Sequence, residues 1–385
     1  MGDGCHNSTM RRALVLALVI VLPADGALAA QEAAGRARAI YTRAVDLESQ
    51  GNYPAALSLF WEAAGLAPRD ADVQHHLGEA LERIGALDAA IDAYRAALAA
   101  RPSSRTASNS LILALVKAGR GPEAIERAAA IVAAAPGDPD AYFTLGLAQS
   151  EQDVTASIES FRRALALSPR HALARYNLAL VLNRADRQAE AATELERTIA
   201  IEPRPEAHYQ LGVIAWHQGD LDRAARELRA AIDLQPKDAN AYTALGALLK
   251  TKRDRAGAER ALRRAIELQP DAPAPRFTLA QVLEQSGDAR AAREQRDEAD
   301  RWRRRAAITQ EAGVWTAVGT QKLDAGDADA AVDCFRRATA LIDTYAPAHY
   351  QLGRALQRLG RAVEARQAFE RARQLNPSLV PPGSP

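Results

Sequence analysis

The chain has 385 residues and a formal net charge of +1, from 49 lysines and arginines against 48 aspartates and glutamates. This balance excludes a partner recruited mainly by a strong electric field, such as bulk nucleic acid. The two cysteines, Cys5 and Cys334, exclude a disulfide framework, and we interpret Cys334 as a small packed residue. Alanine, leucine and arginine dominate, which favours helix throughout the chain.

The N-terminus has the pattern of a secretory signal. Two arginines precede an apolar run from Ala13 to Leu22, and small residues then permit cleavage before Ala30. Residues 1–29 are therefore predicted to be a signal peptide, with Met10 as the natural start. The run has about half the length that a bilayer span needs, so we predict export to the periplasm or beyond. The alternative is an uncleaved N-terminal membrane anchor.

The segment from Pro205 to Asp238 shows the unit from which most of the chain is built. Its apolar pattern predicts one helix over residues 206–217 and a second over 221–234. Gly219 suits the end of the first helix because glycine takes a positive φ without a Cβ clash, and Asp220 can cap the second. Large and small apolar residues alternate between the two helices, which predicts a closely packed hairpin.

The same unit recurs with a regular period. Prolines end successive units at intervals of 33 or 34 residues: Pro68, Pro102, Pro136, Pro169, Pro203, Pro236 and Pro270. Counting these intervals and the remaining C-terminal chain predicts ten units. They start near Ala37, Ala71, Arg105, Pro139, Ala172, Pro205, Ala239, Pro273, Ala312 and Ala346.

The last unit carries the fullest set of recurring residues: Leu352, Gly353, Gly360, Ala365, Phe369, Ala372 and Pro377. This set and the period resemble the tetratricopeptide repeat. The resemblance implies an all-α fold, a right-handed superhelix of about ten helix–turn–helix repeats. Such repeats stack because no single hairpin can bury its own apolar face. It also implies that the first helix of each repeat lines a concave groove that binds peptides or proteins.

The eighth repeat departs most from this pattern. Arg296 replaces a large apolar residue, and no proline or glycine interrupts the run from Asp288 to Glu311. We therefore predict one overlong helix there, ending a block of repeats 1–8 over residues 37–306. Repeats 9 and 10 follow over residues 312–378. The 107 residues from Pro270 to Pro377 exceed three periods of 34 by five residues, which is more than one helical turn, so we predict that this pair is rotated relative to the block. At the joint between the block and the final pair, the sequence permits either a hinge or a rigid kink. The proline-rich residues 379–385 are predicted to be a disordered tail.

The fifth position of each first helix is predicted to face the groove, and six of the ten residues there are aromatic. With nearby polar residues, the groove candidates are Tyr41, His75, Asn109, Phe143, Tyr176, Asn177, Asn183, Tyr209, Trp216, His217, Phe277 and Tyr350. One interpretation is a ladder of flat surfaces of low conformational entropy for an extended peptide. The other is that these aromatic side chains pack partly between helices.

The sequence shows no catalytic constellation. It has no HExxH motif, no phosphate-binding loop and no nucleophile paired with a base, so we predict no enzyme activity and no cofactor. His75, His76 and Glu79 lie within one helical turn and could hold a metal weakly. No second cluster has ligand spacing, so we interpret them as a polar helix face and predict no metal site. The arginines from Arg290 to Arg305 alternate with acidic residues and suit a solvated helix.

The resulting hypothesis is a non-catalytic scaffold that binds a peptide or protein partner in the groove, in assembly of the cell envelope. The alternative is an accessory subunit that recognises substrates or polysaccharide-export components for a separate enzyme. No nucleic-acid partner is expected, and membrane contact is expected only through an uncleaved N-terminal segment. End-to-end self-association is left open.

Overall fold

The computed structural model describes residues 24–376 and residue 379. This described part contains nineteen α-helices and no strand. In chain order they are α1 (Ala24–Ser49), α2 (Tyr53–Leu66), α3 (Ala71–Arg83), α4 (Leu87–Ala100), α5 (Arg105–Lys117), α6 (Gly121–Ala134), α7 (Pro139–Gln149), α8 (Val154–Leu167), α9 (Ala172–Arg184), α10 (Gln188–Ile201), α11 (Pro205–His217), α12 (Leu221–Leu234), α13 (Ala239–Thr251), α14 (Arg255–Leu268), α15 (Pro273–Gln285), α16 (Ala289–Asp324), α17 (Ala328–Leu341), α18 (Ala346–Arg358) and α19 (Ala362–Leu375).

The chain divides into two compact units between Ala107 and Ser108, within the first turn of α5. In the first unit α1 packs against α2, α2 against α3, and α3 against α4. In the second unit consecutive helices pack in the same way from α6 onwards, and α13 also contacts α11 and α15. First helices of successive repeats are therefore neighbours there. The predicted all-α fold of the helical-repeat solenoid class is confirmed.

The hairpin of α11 and α12 forms as the sequence predicts. Gly219 has a φ of +82°, and the Asp220 carboxylate accepts a hydrogen bond from the backbone N–H of Arg223 at 2.9 Å. The left-handed glycine ends α11, and the carboxylate satisfies one of the unpaired N–H groups that open α12. Turn residues thus fix where each helix of the repeat begins and ends.

Most hairpins are closed by a small residue on the first helix opposite a large residue on the second. A Cβ placed on Gly146 would lie 2.7 Å from the Phe161 ring, and one on Gly246 would lie 2.5 Å from Leu262 Cγ. The third repeat has Ile112 and Ala128 at the equivalent positions, and both are fully buried. There the large and small residues have changed helices, which conserves the packed volume.

The overlong helix predicted from Asp288 is present and longer than predicted, because α16 continues from Ala289 to Asp324. It packs against α15 through one part and against α17 and α18 through another. The second helix of repeat 8 and the first helix of repeat 9 are thus one helix. Residues 303–311 between these parts are all exposed. Ion pairs within the helix, such as Arg290 with Glu294 at 3.1 Å, suit a solvated surface.

Several predictions concern residues outside the described part. The apolar run from Ala13 to Leu22, Met10, Cys5 and residues 380–385 of the tail all lie there. The backbone is helical from Ala24, so the predicted cleavage point before Ala30 lies within α1. A search of the described helices finds none with the length and apolar character needed to cross a bilayer.

Candidate functional site

The predicted groove residues of the second unit lie at one register on successive first helices. Phe143 is on α7, Tyr176 on α9, Tyr209 on α11, Phe277 on α15 and Tyr350 on α18. All five side chains are partly buried, so each keeps some surface in contact with solvent. The structure therefore places the predicted aromatic residues on one type of surface, formed by the first helices. We call the part carried by α7, α9, α11 and α13 the first-helix face.

Two of these rings, those of Phe143 and Tyr350, pack against a ring of their own repeat. The Phe143 ring centroid lies 6.0 Å from that of Phe161 on α8, and the Tyr350 centroid lies 5.6 Å from that of Phe369 on α19. Phe143 also lies 5.0 Å from the His171 ring, at the start of the next repeat. The rings are fixed by these contacts before any ligand arrives. The rings are thus partly packed, as the second interpretation of the sequence has it, and the peptide-binding ladder stays a prediction.

The hydroxyl groups of Tyr176 and Tyr209 lie near the start of the following repeat. Burial raises the pKa of Tyr176, and the Glu206 carboxylate at the start of α11 raises it further. Burial likewise raises the pKa of Tyr209, with a smaller contribution from Asp238. Both rings stay neutral and hydrogen-bonding over a wide pH range. Each can contact a ligand with its ring edge and its hydroxyl group.

The polar candidates differ in how free their side chains are. The Asn177 amide donates to the Leu173 carbonyl oxygen at 2.8 Å, so part of its hydrogen-bonding capacity is used within α9. The Asn109 side-chain oxygen accepts from the Thr144 hydroxyl at 3.4 Å. Asn183 and Trp216 are partly buried, and His217 is exposed at the end of α11. Asn177 therefore offers a ligand mainly its side-chain oxygen.

Phe277 is less available than its equivalents. The Arg303 guanidinium of α16 lies over the Phe277 ring at 5.4 Å, in cation–π geometry, and also pairs with Asp300 at 2.8 Å. Lys250, on the neighbouring first helix α13, donates to the Gln281 side-chain oxygen at 2.6 Å. Contacts within the chain thus occupy polar and aromatic groups around α15. The face is more open around α7, α9 and α11.

The first unit holds the two remaining candidates in an aromatic cluster. The Tyr41 ring lies 6.1 Å from that of Phe60 and 5.3 Å from that of His76, and the Tyr41 hydroxyl is 3.2 Å from His76 Nδ1. The His75 ring lies 5.5 Å from that of Tyr94. Burial lowers the pKa of His75, and the nearby Glu79 opposes that shift. One ligand atom each from His75, His76 and Glu79 lies within 4.8 Å of the others.

Sequence reasoning missed a polar contact at the fourth position of the first helices. The Arg175 guanidinium donates to the Pro169 carbonyl oxygen at 2.7 Å, and Arg276 donates to that of Pro270 at 3.0 Å. Arg175 also forms an ion pair with Glu194 on α10, with both side chains largely buried. These arginines tie the loop between repeats to the following hairpin. The signal was readable, because each arginine follows a repeat-ending proline by six residues.

A cleft of about 430 Å³ lies beside this ion pair, between α8, α9 and α10. Its arginines already have acidic partners, since Arg162 pairs with Glu190 at 3.0 Å and Arg197 with Glu194 at 2.7 Å. Leucines from α8 and α9 form the rest of its wall. Neutralised charges of this kind hold helices together and offer little to an incoming ion.

Comparison with protein families identifies the repeats. One model described as tetratricopeptide repeat matches residues 41–105, 109–159, 147–205 and 190–241, just over half of the chain. Two further models with the same description match residues 239–272 and 346–379. Residues 273–345, which form α15, α16 and α17, lie between these matches. The overlong helix accounts for that gap, because it lacks the turn that separates two repeats.

Individual proteins resemble parts of the chain. BBSome complex member bbs-4 of Caenorhabditis elegans is 25% identical over 188 residues, which are 48% of this chain and 41% of that protein. The chain therefore spans less than half of that relative. A solved tetratricopeptide repeat protein from Parabacteroides merdae is 16% identical, with a TM-score of 0.49 over 64% of this chain and 98% of that one. YrrB, described as a protein with an unusual peptide-binding site, is 18% identical, with a TM-score of 0.41 over 46% of this chain and 91% of that one.

The repeats indicate a protein–protein interaction scaffold, and repeats of this kind generally bind protein or peptide partners. Their fold is typical of non-catalytic proteins. The regular helical hairpins, their turn residues and the family matches lead to one conclusion. The chain belongs to the tetratricopeptide repeat family.

Proposed function

We propose that the chain is a non-catalytic scaffold that binds an extended peptide segment of a protein partner on the first-helix face of its second unit. The observation that carries this proposal is the row of Phe143, Tyr176 and Tyr209 at one register on α7, α9 and α11. Each ring is partly buried against the apolar core, which holds it in place, and keeps part of its surface accessible. Fixed aromatic rings give contact area with little loss of conformational entropy, which favours binding.

The polar groups around these rings support a peptide as the ligand. Tyrosine hydroxyl groups and the free oxygen of Asn177 can pair with a peptide backbone, which presents both donors and acceptors. The nearly balanced charge, 49 basic against 48 acidic residues, argues against nucleic acid as the partner. No chemistry by the chain itself is part of this proposal.

Site-directed cross-linking tests the position of the partner. A photoreactive amino acid at Val213, on α11 and partly buried, should cross-link to the partner in an envelope extract. The same group at Arg229, exposed on the second helix α12, should not. Replacing Phe143, Tyr176 and Tyr209 together by leucine keeps much of the packed volume while removing the rings. This triple variant should abolish the Val213 cross-links, and undiminished cross-linking in a folded triple variant would refute the proposal.

We place this activity in the cell envelope on the strength of the predicted signal segment. Sequencing the N-terminus of the exported chain tests that placement, and the expected first residue is Ala30. A mature chain that starts at Met10 would favour the membrane-anchored alternative. Identification of the cross-linked partner separates assembly from the accessory role, because a partner with catalytic activity would favour an accessory subunit that recognises substrates.

A further inference from the structure

Three potential metal ligands lie together on α3 in the first unit. Successive residues of an α-helix are 100° apart around its axis, so Glu79 lies between His75 and His76 in angle and one turn further along. The sequence alone suggested a polar helix face. The structure adds that one ligand atom from each of the three side chains lies within 4.8 Å of the other two.

The surroundings of His76 prepare it to bind a metal. Its Nδ1 lies 2.9 Å from the Asp72 carbonyl oxygen, which can only accept a hydrogen bond, so the ring proton belongs on Nδ1. That tautomer leaves the lone pair on Nε2 for a metal ion. A histidine ligand held through its other nitrogen by a backbone carbonyl is the usual arrangement in metal sites. Stacking on the Phe60 ring, with centroids 5.9 Å apart, further fixes the orientation of the His76 ring.

The remaining adjustment is small. Zinc binds imidazole nitrogen at about 2.0–2.1 Å and carboxylate oxygen at about 2.0–2.2 Å, so ligand atoms around it lie roughly 3.3–3.5 Å apart. His75 Nδ1 is already 3.7 Å from the nearer Glu79 oxygen. The Glu79 side chain is 43% exposed and can change rotamer without disturbing the core. The widest separation in the cluster, 4.8 Å, therefore has to shorten by up to roughly 1.5 Å to reach ligand distances.

We propose that His75, His76 and Glu79 bind one divalent transition-metal ion, with zinc as the expected ion. Two imidazoles and one carboxylate suit zinc and its neighbours in the periodic table, whereas calcium and magnesium require oxygen ligands. Three protein ligands leave one tetrahedral position for water or for a side chain of another molecule. This site lies in the first unit and does not depend on the peptide-binding proposal for the second.

Titration of the purified, tag-free chain tests the site. Isothermal titration with zinc chloride should show one high-affinity site per chain, and calcium chloride should show none. Cobalt(II) should give visible d–d absorption bands of four- or five-coordinate geometry. The His76→Gln and Glu79→Gln variants should each bind zinc at least tenfold more weakly. As a matched control, His217→Gln changes an exposed histidine on α11 and should leave zinc binding unchanged.

Two results would overturn the proposal. One is the absence of saturable zinc binding by the full chain. The other is zinc binding by the Glu79→Gln and His76→Gln variants with the affinity of the parent chain. Far-ultraviolet circular dichroism shows whether each variant is folded, and Glu79→Gln is the decisive one because its side chain is exposed enough to change without loss of packing.

Discussion

The close approach of α13 and α14 predicts that one substitution will have opposite effects in two backgrounds. A Cβ on Gly246 would lie 2.5 Å from Leu262 Cγ, 2.8 Å from Leu262 Cδ2 and 3.3 Å from the Ala258 carbonyl oxygen. Carbon atoms in good contact are about 3.5–4.0 Å apart, so Gly246→Ala requires a displacement of roughly 1 Å. Overpacking of this kind costs about 1–3 kcal/mol, whereas the gain in helix propensity is about 1 kcal/mol. The net effect should be a loss of about 1 kcal/mol in the free energy of unfolding.

Truncating the opposing side chain should reverse the sign. Leu262 is fully buried, and Leu262→Ala alone should cost about 2–5 kcal/mol. In that background the new methyl group of Gly246→Ala enters the cavity left by Leu262 and no longer meets the Leu262 side chain. The substitution should then stabilise the protein by up to about 1 kcal/mol, which is its helix-propensity gain.

Urea denaturation followed by circular dichroism measures the stability of four chains: the parent, Gly246→Ala, Leu262→Ala and the double variant. Shifts in the urea midpoint are compared, because repeat arrays need not unfold in one step. Gly313→Ala on α16 is the matched control. Its Cβ would meet only the Tyr345 hydroxyl at 3.7 Å, so the substitution should stabilise both backgrounds equally. If Gly246→Ala has the same effect with and without Leu262, steric contact between these two positions does not govern the hairpin.

Three further predictions concern turns, caps and pH. Arg253 has a left-handed φ of +62°, and Gly219 occupies the equivalent turn position of another repeat. Arg253→Gly should therefore raise stability by about 0.5–1 kcal/mol, and Gly219→Ala should lower it by about 1 kcal/mol. Urea midpoints that shift in the same direction for both variants would contradict this. Asp254 caps α14 through the Gly257 N–H at 2.9 Å, and Asp254→Ala should cost about 1 kcal/mol in the same assay, with an unchanged midpoint as the contrary result. The fold raises the pKa of Tyr176 and Tyr209 above the ordinary value of 10.0, so the unfolded chain loses these protons at a lower pH than the folded chain does. Stability should therefore fall as the pH rises through about 10 and above. Phenylalanine at both positions should reduce that fall, and an identical pH profile would contradict the assignment.

The helical hairpins were predictable because their signals are local. Gly219 and Asp220 fix a helix end and a helix start through the φ of one residue and one hydrogen bond. The ends of α16 were harder. The predicted start of a helix near Ala312 came from counting residues in the repeat, and no breaking residue precedes it. With helix-forming residues on both sides, α16 continues to Asp324.

The candidate site was predictable in its register but not in its accessibility. The position of Tyr176 and Tyr209 on first helices follows from the period of the repeat. The contact between Arg303 and the Phe277 ring depends instead on the course of α16. The hydrogen bond of Asn177 within α9 depends on the rotamer of its side chain. The His75, His76 and Glu79 cluster was visible as spacing. The hydrogen bond between His76 Nδ1 and the Asp72 carbonyl oxygen was not visible in the sequence, because a side-chain contact with a backbone atom leaves no sequence motif.

The separation between packing positions and surface positions explains how such a chain can acquire a specific partner. Contacts between helices constrain the combined volume of two facing side chains, and the exchange of large and small residues at Ile112 and Ala128 is one way of meeting that constraint. First-helix residues such as Tyr176 are partly buried against the core and keep part of their surface exposed. A substitution that preserves the packed volume there alters the surface presented to a partner. Under the proposed function, specificity would reside at these partly exposed first-helix positions, and substitutions there should change partner binding more than stability.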